Sequence, residues 1–196
     1  FVNCNRPYQW YNKGSLILYG LRDLIGEQAM DSALYKFNAE FGLKLNPPFP
    51  GSTDLYRHLK EATPDSLQYY LEDTWNRITL YDNRAETTEV KKLGEDEYEI
   101  TLKVRSQKLY ADETGKESDA SYEGDYIDIG VFAAEDEDEN GRTRVNPLYL
   151  KKHKIKPGES TITIRVKGTP EKAGIDPYNK LIDRIPDDNT TDVEIG

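Results

Sequence analysis

The hydrophobic pattern of this chain changes its period near Arg77, and that change constrains the fold more than any other feature. Beyond it, Tyr98, Ile100, Leu102 and Val104 alternate with polar residues. This alternation is typical of a strand that buries one face. Two later segments, 127–131 and 162–166, repeat it, and turn signals separate the three. The pattern predicts an antiparallel β-sandwich over residues 77–196.

Before the change, apolar residues recur with a helical period. We predict one helix over residues 13–25 and a second over 27–41, which should pair as a hairpin across Gly26. After a proline-rich loop, a third helix follows. Its N-cap candidates are Ser52, Thr53 and Asp54.

A fourth helix should start at Thr63-Pro64, with Thr63 as its cap. The fold class predicted from these patterns is therefore α+β. About four helices, in residues 1–76, precede an antiparallel β-sandwich in residues 77–196. We also predict a short C-terminal helix over residues 175–183, docked against the sandwich.

Charge narrows the range of partners. The 196 residues hold 36 acidic and 26 basic side chains, for a net charge of −10. Nucleic acids and anionic membranes attract positive charge, so neither is expected as a partner. No apolar run approaches the ~20 residues that cross a bilayer. We therefore expect this piece to be soluble, without direct membrane insertion, and, since it begins with Phe1, to follow further polypeptide.

One short motif points to chemistry. After a stretch that we predict to be extended, Tyr11, Lys13 and Gly14 form a Tyr-x-Lys-Gly pattern at the start of the first predicted helix, and Gly26 closes that helix. The segment resembles the corresponding part of the aminopeptidase N-like zinc metallopeptidases, the gluzincin aminopeptidases. Read without the resemblance, the pattern also fits an amphipathic helix with a tyrosine packed at its start.

The resemblance implies a function for a longer parent protein. In that family the tyrosine of this motif stabilises the oxyanion formed during peptide hydrolysis at zinc, and the role passes to Tyr11. Lys13 and Gly14 would hold the turn. The family binds zinc through a His-Glu-x-x-His helix, but this chain holds only His58 and His153. The fragment therefore carries no cofactor of its own. Zinc, the upstream catalytic domain and the peptide substrate belong to the parent, in which residues 1–76 would complete a thermolysin-like catalytic domain.

Three later segments resemble bacterial members of the family that end in a β-domain: residues 80–84, 127–132 and 174–177. Some of those members are joined to the permease of an ABC transporter. The resemblance thus implies a parent associated with a bacterial membrane. The alternative is a non-enzymatic binding module, in which a helical spacer carries a sandwich that binds a peptide, a glycan or a partner domain. Its 14 tyrosines suit such a surface.

An acidic loop offers a second candidate site. Asp136, Asp138 and Asn140 stand at alternate positions before Gly141, as in the first half of a calcium-binding loop. Pro147 stands where that loop would need a bidentate Glu. Asn140-Gly141 is also a strong hairpin signal. The pattern favours a solvated acidic hairpin and leaves calcium binding as the alternative.

Overall fold

The computed structural model describes residues 8–137, 139–141 and 143–195, with all side chains except those of residues 8–10, Thr87 and Thr88. The chain divides into two units, Phe1–Ile78 and Thr79–Gly196. Helices form the first unit and antiparallel sheets form the second, which confirms the predicted α+β class. Among the described residues, no helix combines the length and apolar composition needed to cross a membrane.

The described part of the first unit contains four α-helices and three shorter helical turns. The α-helices are α1 (Ser15–Ile25), α2 (Glu27–Phe41), α3 (Ser52–Ala62) and α4 (Gln68–Leu71). The turns are π-helical at Tyr8–Gly14 and Glu72–Asn76, and 3-10 at Asp65–Leu67. Gly26 separates α1 from α2 with a φ of 88°, a conformation that favours glycine. Its N–H donates to the carbonyl of Arg22, which ends α1.

The most extensive helix pairing in this unit joins α2 to α3. Arg57 and His58 of α3 both bind the Glu40 carboxylate of α2. The rings of Phe37 and Phe41 lie edge-on to the imidazole. The predicted α1–α2 pairing is therefore less extensive than the α2–α3 pairing. The longer loop after α2 allows the chain to reverse and these side chains to meet.

Two predicted helix caps are wrong. Gly51, rather than Ser52, Thr53 or Asp54, occupies the N-cap of α3, and its N–H donates to the Asp54 carboxylate at 2.8 Å. Thr63 ends α3 instead of starting the next helix, because its hydroxyl donates to the carbonyl of Leu59 at 2.7 Å. The predicted fourth helix is split into successive 3-10, α and π turns.

The described residues of the second unit form ten strands. In chain order they are β1 (Ile78–Lys92), β2 (Glu97–Ala111), β3 (Glu117–Asp119), β4 (Asp125–Phe132), β5 (Asp136–Glu137), β6 (Thr143–Arg144), β7 (Pro147–Ile155), β8 (Gly158–Lys167), β9 (Lys172–Ile175) and β10 (Thr190–Asp192). In the first sheet β2 is flanked by β1, β3 and β8. The second sheet has the order β10-β9-β4-β7, and β5 with β6 forms a separate hairpin.

The core of this unit draws apolar side chains from both sheets, as in a sandwich. Strand β2 supplies Tyr98, Ile100, Leu102 and Val104, all buried, as the alternation predicts. Strand β4 is buried on both faces and supplies residues 127, 129 and 131. It lies between β7 and β9, so neighbours cover both of its edges.

The predicted C-terminal helix over residues 175–183 is wrong. Strand β9 ends at Ile175, and the chain then turns, with left-handed backbone at Asp176 (φ 43°) and Asn179 (φ 50°). The turn is held by the Asp176 carboxylate, which accepts the backbone N–H groups of Lys180 and Leu181, each at 2.9 Å. Since the side chain replaces the carbonyl acceptors that a helix would use, the segment closes as a turn.

Candidate functional site

Tyr11 lies in the helical stretch at the start of the first unit. The π-helical turn that contains it continues directly into α1, so the predicted extended approach before the motif is wrong from Tyr8 onward. The Tyr11 side chain is 71% exposed. The hydroxyl of Ser15, one turn on, donates to the carbonyls of Tyr11 and Asn12. This end of the helix therefore presents a phenol to solvent on a hydrogen-bonded backbone.

Lys13 points to the other end of the helical unit. Its ammonium donates to the backbone carbonyl of Arg77 at 3.4 Å, next to the π turn Glu72–Asn76. Burial lowers the pKa of Lys13. The lysine thus ties the start of the first helix to the last turn of the same unit, which is a positioning role for the backbone that carries Tyr11.

Gly14 does not form the turn that the motif predicts. Its backbone has φ −62° and ψ −45°, ordinary right-handed helical values that any residue adopts. The π turn Tyr8–Gly14 runs directly into α1 at Ser15, so the helix passes through Gly14 without a break. Of the three motif residues, Tyr11 has an exposed side chain and Lys13 is bound to the Arg77 carbonyl.

The acidic loop forms a hairpin. Strands β5 and β6 pair Asp136 with Arg144, and the guanidinium binds both carboxylate oxygens, at 3.0 and 2.8 Å. That hydrogen bonding holds the pKa of Asp136 below its ordinary value. Asn140 lies in the turn, and Asp138 lies outside the described residues. The described part of the chain contains no group of three or more His, Cys, Asp or Glu side chains arranged to hold a metal ion.

The three segments singled out by resemblance all lie in the second unit, near buried polar groups that the sequence did not reveal. Asp128 of β4 binds the ammonium groups of Lys152 at 3.0 Å and Lys180 at 2.7 Å. Its backbone carbonyl accepts the N–H of Asp176. On β1, the Tyr81 N–H donates to the Ile182 carbonyl. The C-terminal segment is therefore tied to both sheets of the sandwich.

A second buried polar group is an ion pair between the two sheets. Lys108 of β2 and Asp125 of β4 form an ion pair in which both side chains are buried. The Tyr81 hydroxyl donates to Asp125, and the Tyr122 ring lies 4.3 Å from the ammonium. One signal in the sequence indicates this arrangement. Lys108 has the same parity as the inward-facing residues of β2, so extending the alternation would have predicted a buried lysine.

The Asp176 carboxyl makes the stability of the second unit depend on pH. Burial raises its pKa from 3.8 to about 7, so between these values the folded chain holds a proton that the unfolded chain has released. The resulting stabilisation is complete below the ordinary pKa of 3.8. It is lost as the pH rises through the folded-state pKa of about 7. The loss amounts to at most ~1.4 kcal/mol per pH unit.

We expect Asp176→Asn to remove this dependence. The free energy of unfolding of the wild type should fall relative to that of the variant as the pH rises from about 4 to about 8. Urea unfolding at several pH values measures it. Asp136→Asn is the control, because the pKa of that exposed carboxyl is lowered and the sign of any dependence is opposite. A wild-type-to-variant difference that stays constant over the range contradicts the role given to Asp176.

No protein-family model matches this chain, and no curated protein matches it significantly.

Proposed function

We propose that this chain is the C-terminal part of a zinc aminopeptidase-like protein and that Tyr11 stabilises the oxyanion of the peptide bond under attack. The exposure of the Tyr11 side chain carries the proposal. An oxyanion donor must reach a substrate, and a phenol that is 71% exposed at the start of a helix can do so. Lys13 supports the role by tying the backbone of this turn to Arg77.

The surface of the helical unit gives further support. Several of its large apolar side chains are exposed, with Tyr35 at 74%, Leu43 at 100%, Leu45 at 88% and Phe49 at 65%. These side chains, on α2 and on the loop that follows it, are available to pack against another part of the protein. In the proposal that partner is the upstream part of the catalytic domain, and residues 1–76 complete its fold.

The proposal assigns the metal to upstream polypeptide, because the described residues do not form a set of zinc ligands. The contribution of this chain is a hydrogen-bond donor at a fixed place. The phenol O–H donates to the oxygen on which negative charge develops, and that bond is stronger in the transition state than in the ground state. The β-domain follows as an appended unit in a bacterial, membrane-associated parent.

The coding sequence upstream of Phe1 tests this assignment. The proposal requires a His-Glu-x-x-His motif there, with a further Glu about eighteen residues beyond it, as three protein ligands and a base need. A sequence upstream that contains neither would contradict the proposal and favour the binding module.

A further inference from the structure

The buried pair of Lys108 and Asp125 connects the two sheets of the sandwich. Lys108 belongs to β2 in the first sheet, and Asp125 is the first residue of β4 in the second. The ammonium nitrogen lies 3.1 Å from Oδ1 and 2.9 Å from Oδ2 of the carboxylate. Lys108 is 2% exposed and Asp125 is 3% exposed. Two reactive groups from different sheets are therefore held against each other away from solvent.

The position of the nitrogen matters for chemistry. Because it is nearly equidistant from both oxygens, it lies close to the carboxyl carbon between them, roughly 3–3.5 Å away, which is a separation at which reacting groups can meet. The Tyr81 hydroxyl donates to Oδ2 at 2.7 Å. That donor polarises the carboxyl group and would stabilise an oxyanion formed on Oδ2. Tyr81 is itself buried, so the hydrogen bond is shielded from water.

Condensation requires the neutral amine and the neutral carboxylic acid, which one proton transfer within the pair would supply. Two charges removed from water lose their hydration, and their mutual attraction restores only part of it. Transfer of one proton from the ammonium to the carboxylate yields an amine and a carboxylic acid, which carry no net charge. The amine nitrogen then has a lone pair facing the acid carbon.

We propose that Lys108 and Asp125 condense into an intramolecular isopeptide bond that links the two sheets covalently. A bond forms between Nζ of Lys108 and Cγ of Asp125, and the bond between Cγ and Oδ1 breaks. Oδ1 leaves as water, with one hydrogen from the acid and one from the amine, and Oδ2 becomes the amide oxygen. The reaction balances without an oxidant, a reductant or a second substrate.

Proximity supplies the driving force that such a condensation lacks in water. Well-oriented groups within one molecule react with effective concentrations of about 10⁵–10⁸ M. The product also replaces two buried charges with a neutral amide, which removes the cost of keeping them desolvated. The amide joins β2 to β4, so the sandwich could not open between its two sheets without breaking a covalent bond.

Intact-mass spectrometry of the purified chain after denaturation tests the proposal. The wild-type mass is expected to be lower than the sequence mass by about 18 Da, the mass of one water. A tryptic digest should contain a branched peptide that joins the segment around Lys108 to the segment around Asp125. Tyr81→Phe should leave a larger fraction of the chain at full mass, since it removes the donor to Oδ2.

The matched control is Lys108→Arg, which keeps the positive charge and removes the amine. It is expected to have its full sequence mass. A wild-type mass equal to the sequence mass overturns the proposal. A loss of about 18 Da that persists in Lys108→Arg also overturns it, because the water would then come from a succinimide elsewhere. If Lys108→Arg fails to fold, the branched peptide of the wild-type chain decides the question alone.

Discussion

Replacement of Tyr11 by Phe in the longer protein is expected to lower kcat for peptide hydrolysis by about 10²–10³-fold, with zinc content unchanged. The substitution removes one hydroxyl and keeps the ring. Tyr11 is 71% exposed, so the substitution leaves no cavity in the core and should change stability little. KM should change little, because the hydrogen bond acts on a charge that exists only in the transition state.

Tyr19→Phe is the matched control for this experiment. Tyr19 lies in α1, two turns beyond Tyr11, and is also exposed, at 52%. It carries the same phenol on the same rigid helix but has no assigned contact with substrate, so its variant should keep wild-type kcat. Steady-state kinetics combined with metal analysis separate the two. If Tyr11→Phe turns over at the wild-type rate with full zinc, Tyr11 is not the oxyanion donor.

Replacement of Asp125 by Ala is expected to have the largest effect on folding, a loss of about 3–5 kcal/mol in the free energy of unfolding. Whether the wild-type pair is ionic or joined as an amide, the variant removes the Asp125 side chain that faces Lys108, and it leaves the Lys108 ammonium, which is 2% exposed, without that carboxylate. The Tyr81 hydroxyl also loses its acceptor at 2.7 Å. Urea unfolding followed by far-ultraviolet circular dichroism measures the change.

Two further variants show whether charge is the cause. Asp125→Ala combined with Lys108→Met should be more stable than Asp125→Ala alone, because neither charge of this pair remains. Asp136→Ala removes an exposed carboxylate that pairs with Arg144 in the β5–β6 hairpin, and it should leave the free energy of unfolding nearly unchanged. A loss below about 1 kcal/mol for Asp125→Ala would contradict the energetic role given to the pair.

The strands of the sandwich follow from the sequence because the information needed is local. On β2, each second residue from Tyr98 to Val104 is apolar and faces the core, so the period of the side chains alone defines the buried face. Ser106 and Lys108 continue the same parity and are also buried. A lysine at an inward position suggests from the sequence alone that the buried face has ended. Its burial is explained only by Asp125, which belongs to the other sheet.

The C-terminal segment shows where local patterns fail. Its apolar residues have a spacing that suits a helix, but the conformation depends on the Asp176 carboxylate and on contacts with Asp128 and Tyr81 that are distant in sequence. Left-handed backbone at Asp176 and Asn179 cannot be read from residue type alone, although Asn and Asp tolerate it better than most residues. These tertiary contacts thus stabilise a capped turn where the sequence predicts a helix.

Some features of the candidate site could likewise be predicted from the sequence, and others could not. Tyr11 could be chosen from the sequence because a short motif at the start of an apolar helix carries it, and its exposure agrees with a role in contact with substrate. Gly14 was assigned a turn that the helix does not make, since its backbone is plainly helical. The anchoring of Lys13 on the Arg77 carbonyl joins positions 64 residues apart, so no local pattern could predict it.

Removal of the metal from the proposed parent protein tests most directly the central claim that this chain belongs to a zinc peptidase. The measurement is the rate at which N-terminal residues are released from a peptide, before and after dialysis against a chelator and again after one equivalent of zinc is added. We expect turnover to disappear with the metal and to return with zinc, because the proposed mechanism activates water and polarises the peptide carbonyl at the metal. Turnover that survives complete removal of the metal, or a fully zinc-loaded protein with no turnover, would contradict the proposal.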